Sequence, residues 1–150
     1  MLFKSTIAAA VSATMLLSAA TPTYAEANPD ATDDVSWTIT LELGEGQDEA
    51  FRALMTEMIE ATHEEAGAKG YEWYRSDSTV RINERYETNA DAGIHLGNFG
   101  ENFAERFLAI LTPIGLQVYG PAEGGVREGL AGFGATFYDQ VGGLKRLVTR

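Results

Sequence analysis

Cysteine is absent from all 150 residues of the chain. The protein therefore has no disulfide bond, no thiolate nucleophile and no cysteine-ligated metal site. Histidine is scarce as well, because His63 and His95 are the only two, and their spacing matches no metal-binding motif. A glycine-rich nucleotide-binding fingerprint is also missing. These absences are consistent with a protein that uses no metal and no cofactor, and we expect none.

Positive charge is the second shortage. Eleven lysines and arginines stand against 22 aspartates and glutamates, which gives a formal net charge of −11. A chain this acidic is repelled by nucleic acid phosphates and by anionic membrane surfaces, so nucleic acid is not an expected partner. The acidic residues are spread along the chain, which is typical of a solvated surface.

Long apolar runs are missing except near the amino terminus. Lys4 precedes an apolar run over 7–20, and small residues flank Tyr24 in the segment that ends at Ala25. This layout predicts a secretory signal peptide over 1–25 with cleavage near Ala25, and hence a periplasmic or secreted protein. The run is shorter than the ~20 residues needed to span a bilayer, so we expect no stable membrane insertion. Residues 26–34 are predicted to be a flexible leader.

The remaining chain has the periodicity of one α+β domain. Apolar residues alternate at every second position over 35–43, which predicts a strand, and recur at helical spacing over 48–66. The aromatic segment 70–87 predicts a hairpin that turns at Ser76-Asp77-Ser78. A helix capped by Asn89 and interrupted at Gly97-Asn98, a second helical stretch over 99–112 and a strand over 114–119 complete the pattern. This order predicts a ferredoxin-like βαββαβ antiparallel sheet over 35–120 with helices on one face.

Such a sheet leaves its second face uncovered. We predict that rings and β-branched residues on that face require cover, which a second copy related by two-fold symmetry would supply, and hence a homodimer. Residues 121–150 form a glycine-rich C-terminal extension, for which we predict a short helix near 126–130 and then irregular packing. The basic residues Lys145, Arg146 and Arg150 end the chain.

Aromatic residues of the strands and of the helix after them are the first candidates for a binding site. Tryptophan and tyrosine combine a flat apolar body with a polar end, which suits a pocket for a ring-shaped polar molecule. The alternative is that these side chains only pack a core. The substrate-binding candidates are Trp37, Tyr71, Trp73, Tyr74, Tyr86 and Phe103.

Several short pieces follow one another in a characteristic order: Gly70-Tyr71-Glu72-x-Tyr74-Arg75-Ser76, Glu84-Arg85-Tyr86, His95-Leu96 and the helix with Phe103 and Phe107. With these pieces, residues 35–120 resemble the antibiotic biosynthesis monooxygenase (ABM) family, including its quinol monooxygenase branch. This resemblance implies a homodimeric α+β barrel with a pocket between sheet and helices in each subunit. Active members oxygenate phenolic or quinol rings with O₂ and without metal, haem or flavin, after a base removes a phenolic proton.

Under this chemistry the catalytic candidates are His95, Arg85 and Asn83. His95 is a candidate base because imidazole titrates near neutrality, although it could instead be a structural histidine in the pocket wall or interface. Arg85 and Arg75 could hold an anionic ring oxygen, or could pair with acidic residues across the hairpin. Asn83 could orient a carbonyl group. A non-enzymatic dimer that binds a small apolar or aromatic ligand in the same pocket is the alternative function.

Haem degradation is disfavoured within this resemblance. Related haem-degrading proteins use an axial histidine in the last helix and an asparagine in the first strand. Residues 99–112 contain no histidine, and residues 35–43 contain no asparagine. The substrate that the resemblance implies is a phenolic or quinol aromatic small molecule, with O₂ as the second reactant.

Overall fold

The computed structural model describes residues 32–143. Its elements are β1 (Val35–Leu43), α1 (Asp48–His63), β2 (Ala68–Ser76), β3 (Thr79–Tyr86), α2 (Asn89–Asn102), α3 (Ala104–Ile110), β4 (Leu111–Tyr119), α4 (Gly124–Gly132) and β5 (Thr136–Tyr138). The predicted signal peptide, most of the predicted leader and the basic C-terminal residues lie outside the described residues. Within 32–143, no helix combines the length and apolar character needed to cross a membrane.

The five strands form one sheet in the order β2-β3-β1-β4-β5. The first four pair antiparallel with their neighbours, which confirms the predicted ferredoxin-like α+β class. The fifth strand lies in the extension, where irregular packing was predicted, and it pairs parallel with β4. It covers part of a sheet edge whose backbone groups would otherwise be free. β4 begins at Leu111 rather than Ile114, because a register shift at Thr40/Leu41 accommodates the stretch around Pro113.

Side-chain contacts fix the ends of the helices. Thr88, rather than the predicted Asn89, caps α2, because its Oγ1 accepts a hydrogen bond from the backbone N–H of Asp91 at 3.2 Å. The Oδ1 of Asn89 instead accepts from the backbone N–H of Glu123 at 3.0 Å, which ties the start of α4 to the start of α2. α2 continues through Gly97-Asn98, where an interruption was predicted.

All buried apolar side chains lie between the sheet and the helices. Two neighbouring clusters share this layer: one around Trp37, Tyr86 and Leu130, the other around Leu54, Ile82 and Phe107. At about 25 cal/mol per Å² of apolar surface, this burial is the main force that holds helices on sheet.

The opposite face of the sheet, here called the open face, is mostly polar but also carries tyrosine rings. Its residues come from the alternate positions of the strands: Ser36, Thr38, Thr40, Glu42, Glu72, Tyr74, Arg81, Asn83, Arg85, Gln117, Tyr119 and Tyr138. Rings do lie on this face, as predicted, because Tyr74, Tyr119 and Tyr138 are exposed there and the last two stack with centroids 5.5 Å apart. The other strand rings point toward the helices, so the face is less apolar than predicted. A homodimer stays a prediction.

Candidate active site

A small cavity of about 50 Å³ lies between the sheet and the four helices. Most of its wall is aliphatic or aromatic, and Glu84 and His95 are its charged residues. The full set that lines it is Trp37, Ile39, Met58, Ile82, Glu84, His95, Leu96, Phe99, Phe107, Pro113, Leu116, Leu130 and Phe133. An apolar cavity with two convergent polar groups is the usual form of a small-molecule site.

His95 is held between two carboxylates. Its Nδ1 lies 3.0 Å from Oε2 of Glu65, which follows α1, and its Nε2 lies 3.1 Å from Oε2 of Glu84 on β3. The side chains of all three residues are almost fully buried, with only 7 to 8% of their surfaces exposed. Buried charges are tolerated only when they are paired and hydrogen-bonded, and this bridge meets that condition.

Two further residues fix the carboxylates. The hydroxyl of Tyr86 donates to Oε2 of Glu84 at 2.9 Å, and Nδ2 of Asn98 donates to Oε1 of Glu65 at 2.9 Å. Asn98 lies three residues after His95, so both side chains leave the same face of α2. Both contacts of Glu84 fall on Oε2, so Oε1 is the oxygen available to a guest in the cavity.

The carboxylates keep His95 charged at neutral pH. Burial alone would lower the pKa of His95, but the hydrogen bonds and charges of Glu65 and Glu84 outweigh it and raise that pKa to about 9. Burial alone would raise the pKa of Glu65, but hydrogen bonds from His95 and Asn98 bring it below its ordinary value. The site therefore holds an imidazolium next to ionised glutamate.

Aromatic rings surround the imidazolium. The rings of Trp37 and Tyr86 stack with centroids 5.0 Å apart, and the Tyr86 ring lies 4.9 Å from that of His95. Tyr71 approaches His95 from β2, with centroids 5.5 Å apart. Burial, followed by the charge of Glu84, raises the pKa of Tyr71 and of Tyr86 far above the ordinary tyrosine value. Both phenols therefore stay neutral and shield the charged bridge from water.

The strand register explains why these groups meet. Glu84 stands opposite Trp37 on β1 and opposite Tyr71 on β2, so the three side chains share the helix-facing side of the sheet. Four predicted site residues are thus brought together, namely His95, Trp37, Tyr71 and Tyr86.

Trp73 and Phe103 lie in the same layer but outside the cavity wall. Trp73 packs against Phe51 and Phe107, at centroid distances of 5.9 and 6.5 Å. The guanidinium of Arg106 lies over the Phe103 ring at 5.7 Å. The Tyr71 hydroxyl and the Trp73 indole N–H are buried and form no hydrogen bond, which is unusual for buried polar atoms.

The other three predicted residues lie on the open face. Asn83 accepts a hydrogen bond there from Thr38 Oγ1 at 3.0 Å, and Arg85 and Tyr74 are exposed to solvent. Side chains one position apart in a strand point to opposite faces, so Asn83 and Arg85 are both directed away from Glu84 and the cavity. Arg75 does not pair across the hairpin; its guanidinium pairs with Asp48 at the start of α1.

Sequence reasoning missed Glu65, Glu84 and Asn98. Glu84 carried a usable signal, because it alternates in phase with Ile82 and Tyr86 and is therefore an acid on the buried side of a strand. Glu65 carried none, since it lies in an irregular segment 30 positions from its partner His95.

Within residues 32–143, no group of three or more acidic or histidine side chains is arranged to hold a metal ion. Both ring nitrogens of His95 already face carboxylates, so neither is directed at a common ligand position.

These features define a ferredoxin-like α+β protein with a buried acid–imidazolium–acid bridge. The sequence profile described as "Antibiotic biosynthesis monooxygenase" matches residues 35–109, which is half of the chain. The chain therefore belongs to the antibiotic biosynthesis monooxygenase family, as the sequence resemblance predicted. A search of curated protein sequences finds no significant match.

Solved structures show the same fold. MupZ from Pseudomonas fluorescens is 24% identical with a TM-score of 0.63, over 78% of this chain and 94% of that one. SnoaB from Streptomyces nogalater, described as a cofactor-independent oxygenase and solved as a mutant, is 11% identical with a TM-score of 0.53, over 62% and 97%. A conserved protein from Methanosarcina mazei is 16% identical with a TM-score of 0.50, over 58% and 91%.

Proposed function

We propose that the protein is a cofactor-independent monooxygenase that oxidises a phenolic or quinol ring with O₂. The observation that carries the proposal is the bridge of Glu65, His95 and Glu84 in the wall of a largely apolar cavity. Membership in the monooxygenase family supports it, as does the described activity of the structural neighbour SnoaB.

Glu84, rather than His95, is the proton acceptor in this proposal. His95 carries its proton at neutral pH because its pKa is raised to about 9, so it cannot accept a second one. The free Oε1 of Glu84 takes the proton of the phenolic hydroxyl. The imidazolium beside it steadies the phenolate that forms, since a fixed positive charge in a dry site stabilises a developing negative charge strongly.

The phenolate then reduces O₂ without an external reductant. A phenol with a ring hydrogen para to its hydroxyl reacts with one O₂ to give a quinone and one water. The substrate supplies all four electrons, one oxygen atom enters the ring, and the other leaves as water with the two displaced hydrogens. The protein has only to exclude water, accept the phenolic proton and steady the negative charge.

We further propose that the protein acts as an exported homodimer. The signal-peptide pattern at 1–25 supports export. The open face carries both acidic and basic residues, namely Glu72, Arg81 and Arg85. This mixture supports packing of two copies across that face, because in a two-fold dimer the acidic residue of one copy can face a basic residue of the other.

Oxygen consumption with a panel of phenols and quinols tests the activity. Glu84→Gln removes the proton acceptor and keeps the side-chain shape, so we expect kcat/KM to fall about 100-fold or more. Isotopically labelled O₂ should place one labelled atom in the quinone. The matched control is Glu60→Gln on the exposed side of α1, which should behave as wild type.

Two outcomes would contradict the oxygenase proposal. The first is binding of ring compounds without O₂ consumption, which would favour a binding protein. The second is equal activity in Glu84→Gln and Glu60→Gln, which would remove Glu84 from the reaction.

A further inference from the structure

The cavity is too small for the aromatic ring that is proposed to bind at Glu84 and His95. Its volume is about 50 Å³. An apolar protein cavity that binds benzene measures roughly 150 Å³. A ring can therefore reach Glu84 and His95 only if part of the wall moves.

One wall residue is free to move. Phe133 is 43% exposed, whereas the other cavity-lining residues among 32–143 are buried or half-buried. It caps the end of α4 and stands between Gly132 and Gly134, and Gly134 has a φ of +78° that favours glycine. A ring that is exposed on one side and flanked by glycines moves at a lower cost than one packed in the core.

An open groove lies directly outside this residue. The groove runs between α2 and α4, has a volume of about 840 Å³, and shares Leu96, Phe99 and Phe133 with the wall of the cavity. Displacement of Phe133 would therefore join the cavity and the groove into one space. Among the described residues that line the groove there is no lysine and no arginine, and Glu123 is the one acidic residue, so the groove does not attract an anionic group.

Glycines keep the groove open where packing does not require them. A β-carbon added at Gly97, Gly100 or Gly125 would meet no atom within 4 Å. Glycine inside a helix is unfavourable compared with alanine, so each of these positions weakens its helix without relieving any contact. All three line the groove and leave its volume unfilled.

We propose that the substrate is a phenolic or quinol ring with an elongated apolar substituent that carries no negative charge, and that Phe133 is the wall residue that moves to admit it. The ring lies in the cavity at Glu84 and His95, and the substituent lies in the groove between α2 and α4. This inference rests on the proposed function for the identity of the ring. Phe133 and α4 lie outside residues 35–109, so this movable part of the wall belongs to the extension rather than to the family-matched part.

Binding of quinones, as analogues of the product, tests this substrate class without any turnover. The probes are naphthoquinones with hydrogen, a methyl group or a decyl chain beside one carbonyl, and the readout is quenching of Trp37 and Trp73 fluorescence. We expect the decyl compound to bind wild type at least about ten-fold more tightly than the unsubstituted one, because each methylene buried in the groove adds affinity.

The variants distinguish binding of the decyl chain in the groove from non-specific hydrophobic binding elsewhere on the protein. Gly97→Leu and Gly100→Leu fill the groove, so the gain from the decyl chain should shrink to about three-fold or less while the unsubstituted compound binds as before. Ala53→Leu, on the exposed side of α1, is the matched control and should keep the full gain. Phe133→Ala should speed association of both compounds about five-fold or more in stopped-flow mixing, since the wall no longer has to move.

Equal affinity for all chain lengths would overturn the inference. So would an equal loss of affinity for every compound in the leucine variants. Unchanged association rates in Phe133→Ala would also overturn the role of that residue. O₂ consumption that is independent of chain length would leave the oxygenase standing while this inference fails. Binding that depends on chain length without O₂ consumption would support this inference while the oxygenase proposal fails.

Discussion

The two faces of the sheet are made by the same strands and differ in what they can hold. The helix-facing side carries buried rings around one charged bridge, whereas the open face carries threonines, arginines, amides and three exposed tyrosines in contact with water. Asn83 and Glu84 are neighbours in β3, yet only Glu84 meets His95. The side of the pleat thus decides whether a polar side chain meets solvent or a buried charged partner, and burial strengthens the electrostatic interactions on the helix-facing side.

The largest difference between the faces should come from removal of the buried cation. His95→Leu leaves Glu65 and Glu84 buried without a positive partner, so we expect a loss of about 3–5 kcal/mol in the free energy of unfolding at neutral pH. Urea denaturation measures it. The triple variant Glu65→Gln/His95→Leu/Glu84→Gln, which removes all the charges, should recover most of that loss. A cost near zero for His95→Leu would mean that the bridge does not hold the charges inferred for it.

The pH dependence of stability should follow from the same bridge. The folded-state pKa of His95, about 9, is above its unfolded value of 6.5, so its contribution is complete below about pH 6.5 and is lost as the pH rises to about 9. We expect this contribution to reach about 3 kcal/mol. The pKa of Glu65 is lowered, so its contribution is present above about pH 4.5 and is lost on further acidification.

Denaturation of wild type and His95→Gln at several pH values checks this expectation. The alkaline slope should be present in wild type and much weaker in the variant. Equal slopes would assign the titration to other groups.

Removal of one hydroxyl from the aromatic wall should have an intermediate effect. Tyr86→Phe deletes the hydrogen bond to the buried carboxylate group of Glu84 and leaves the ring stack on Trp37, so we expect a loss of about 1.5–3 kcal/mol in the free energy of unfolding. The readouts are chemical denaturation and the near-ultraviolet circular dichroism of Trp37. An unchanged stability would indicate that water replaces the hydroxyl.

The smallest effect should belong to the open face. Thr38→Val removes the half-buried hydrogen bond to Asn83 but keeps the β-branched shape, so we expect a change of about 0.5–1 kcal/mol in the free energy of unfolding. Thermal denaturation at a low protein concentration measures it. A loss as large as that of Tyr86→Phe would show that the two faces do not differ as described.

Periodicity predicted the fold well because it is a local property. The alternation over 35–43 and the helical stripe of Phe51, Leu54 and Met58 correspond to β1 and to the buried face of α1. Periodicity also separates Tyr71 and Trp73 from Tyr74, which lies one position out of phase, and grouping the three by residue type placed Tyr74 in the wrong site. The parallel strand β5 could not be found this way, because its three residues follow a glycine-rich stretch.

The site was harder to predict because it depends on distant pairing. His95 was identified by residue type, but its charge state depends on Glu65 and Glu84, which reach it from a loop and from a strand. Once both carboxylates are in place, the pKa of His95 is raised to about 9, and for this reason our proposal gives the role of base to Glu84 instead. No short motif encodes such a change, since it results from burial and from the meeting of three separate segments.

The segment after β4 has a practical consequence for anyone who shortens this protein. A version that stops at Gly120 would retain everything that the family profile matches, yet it would lose Leu130 and Phe133 and uncover the outer edge of β4. Water would enter the core of such a product, and the unpaired edge of β4 could pair with strands of other molecules and promote aggregation.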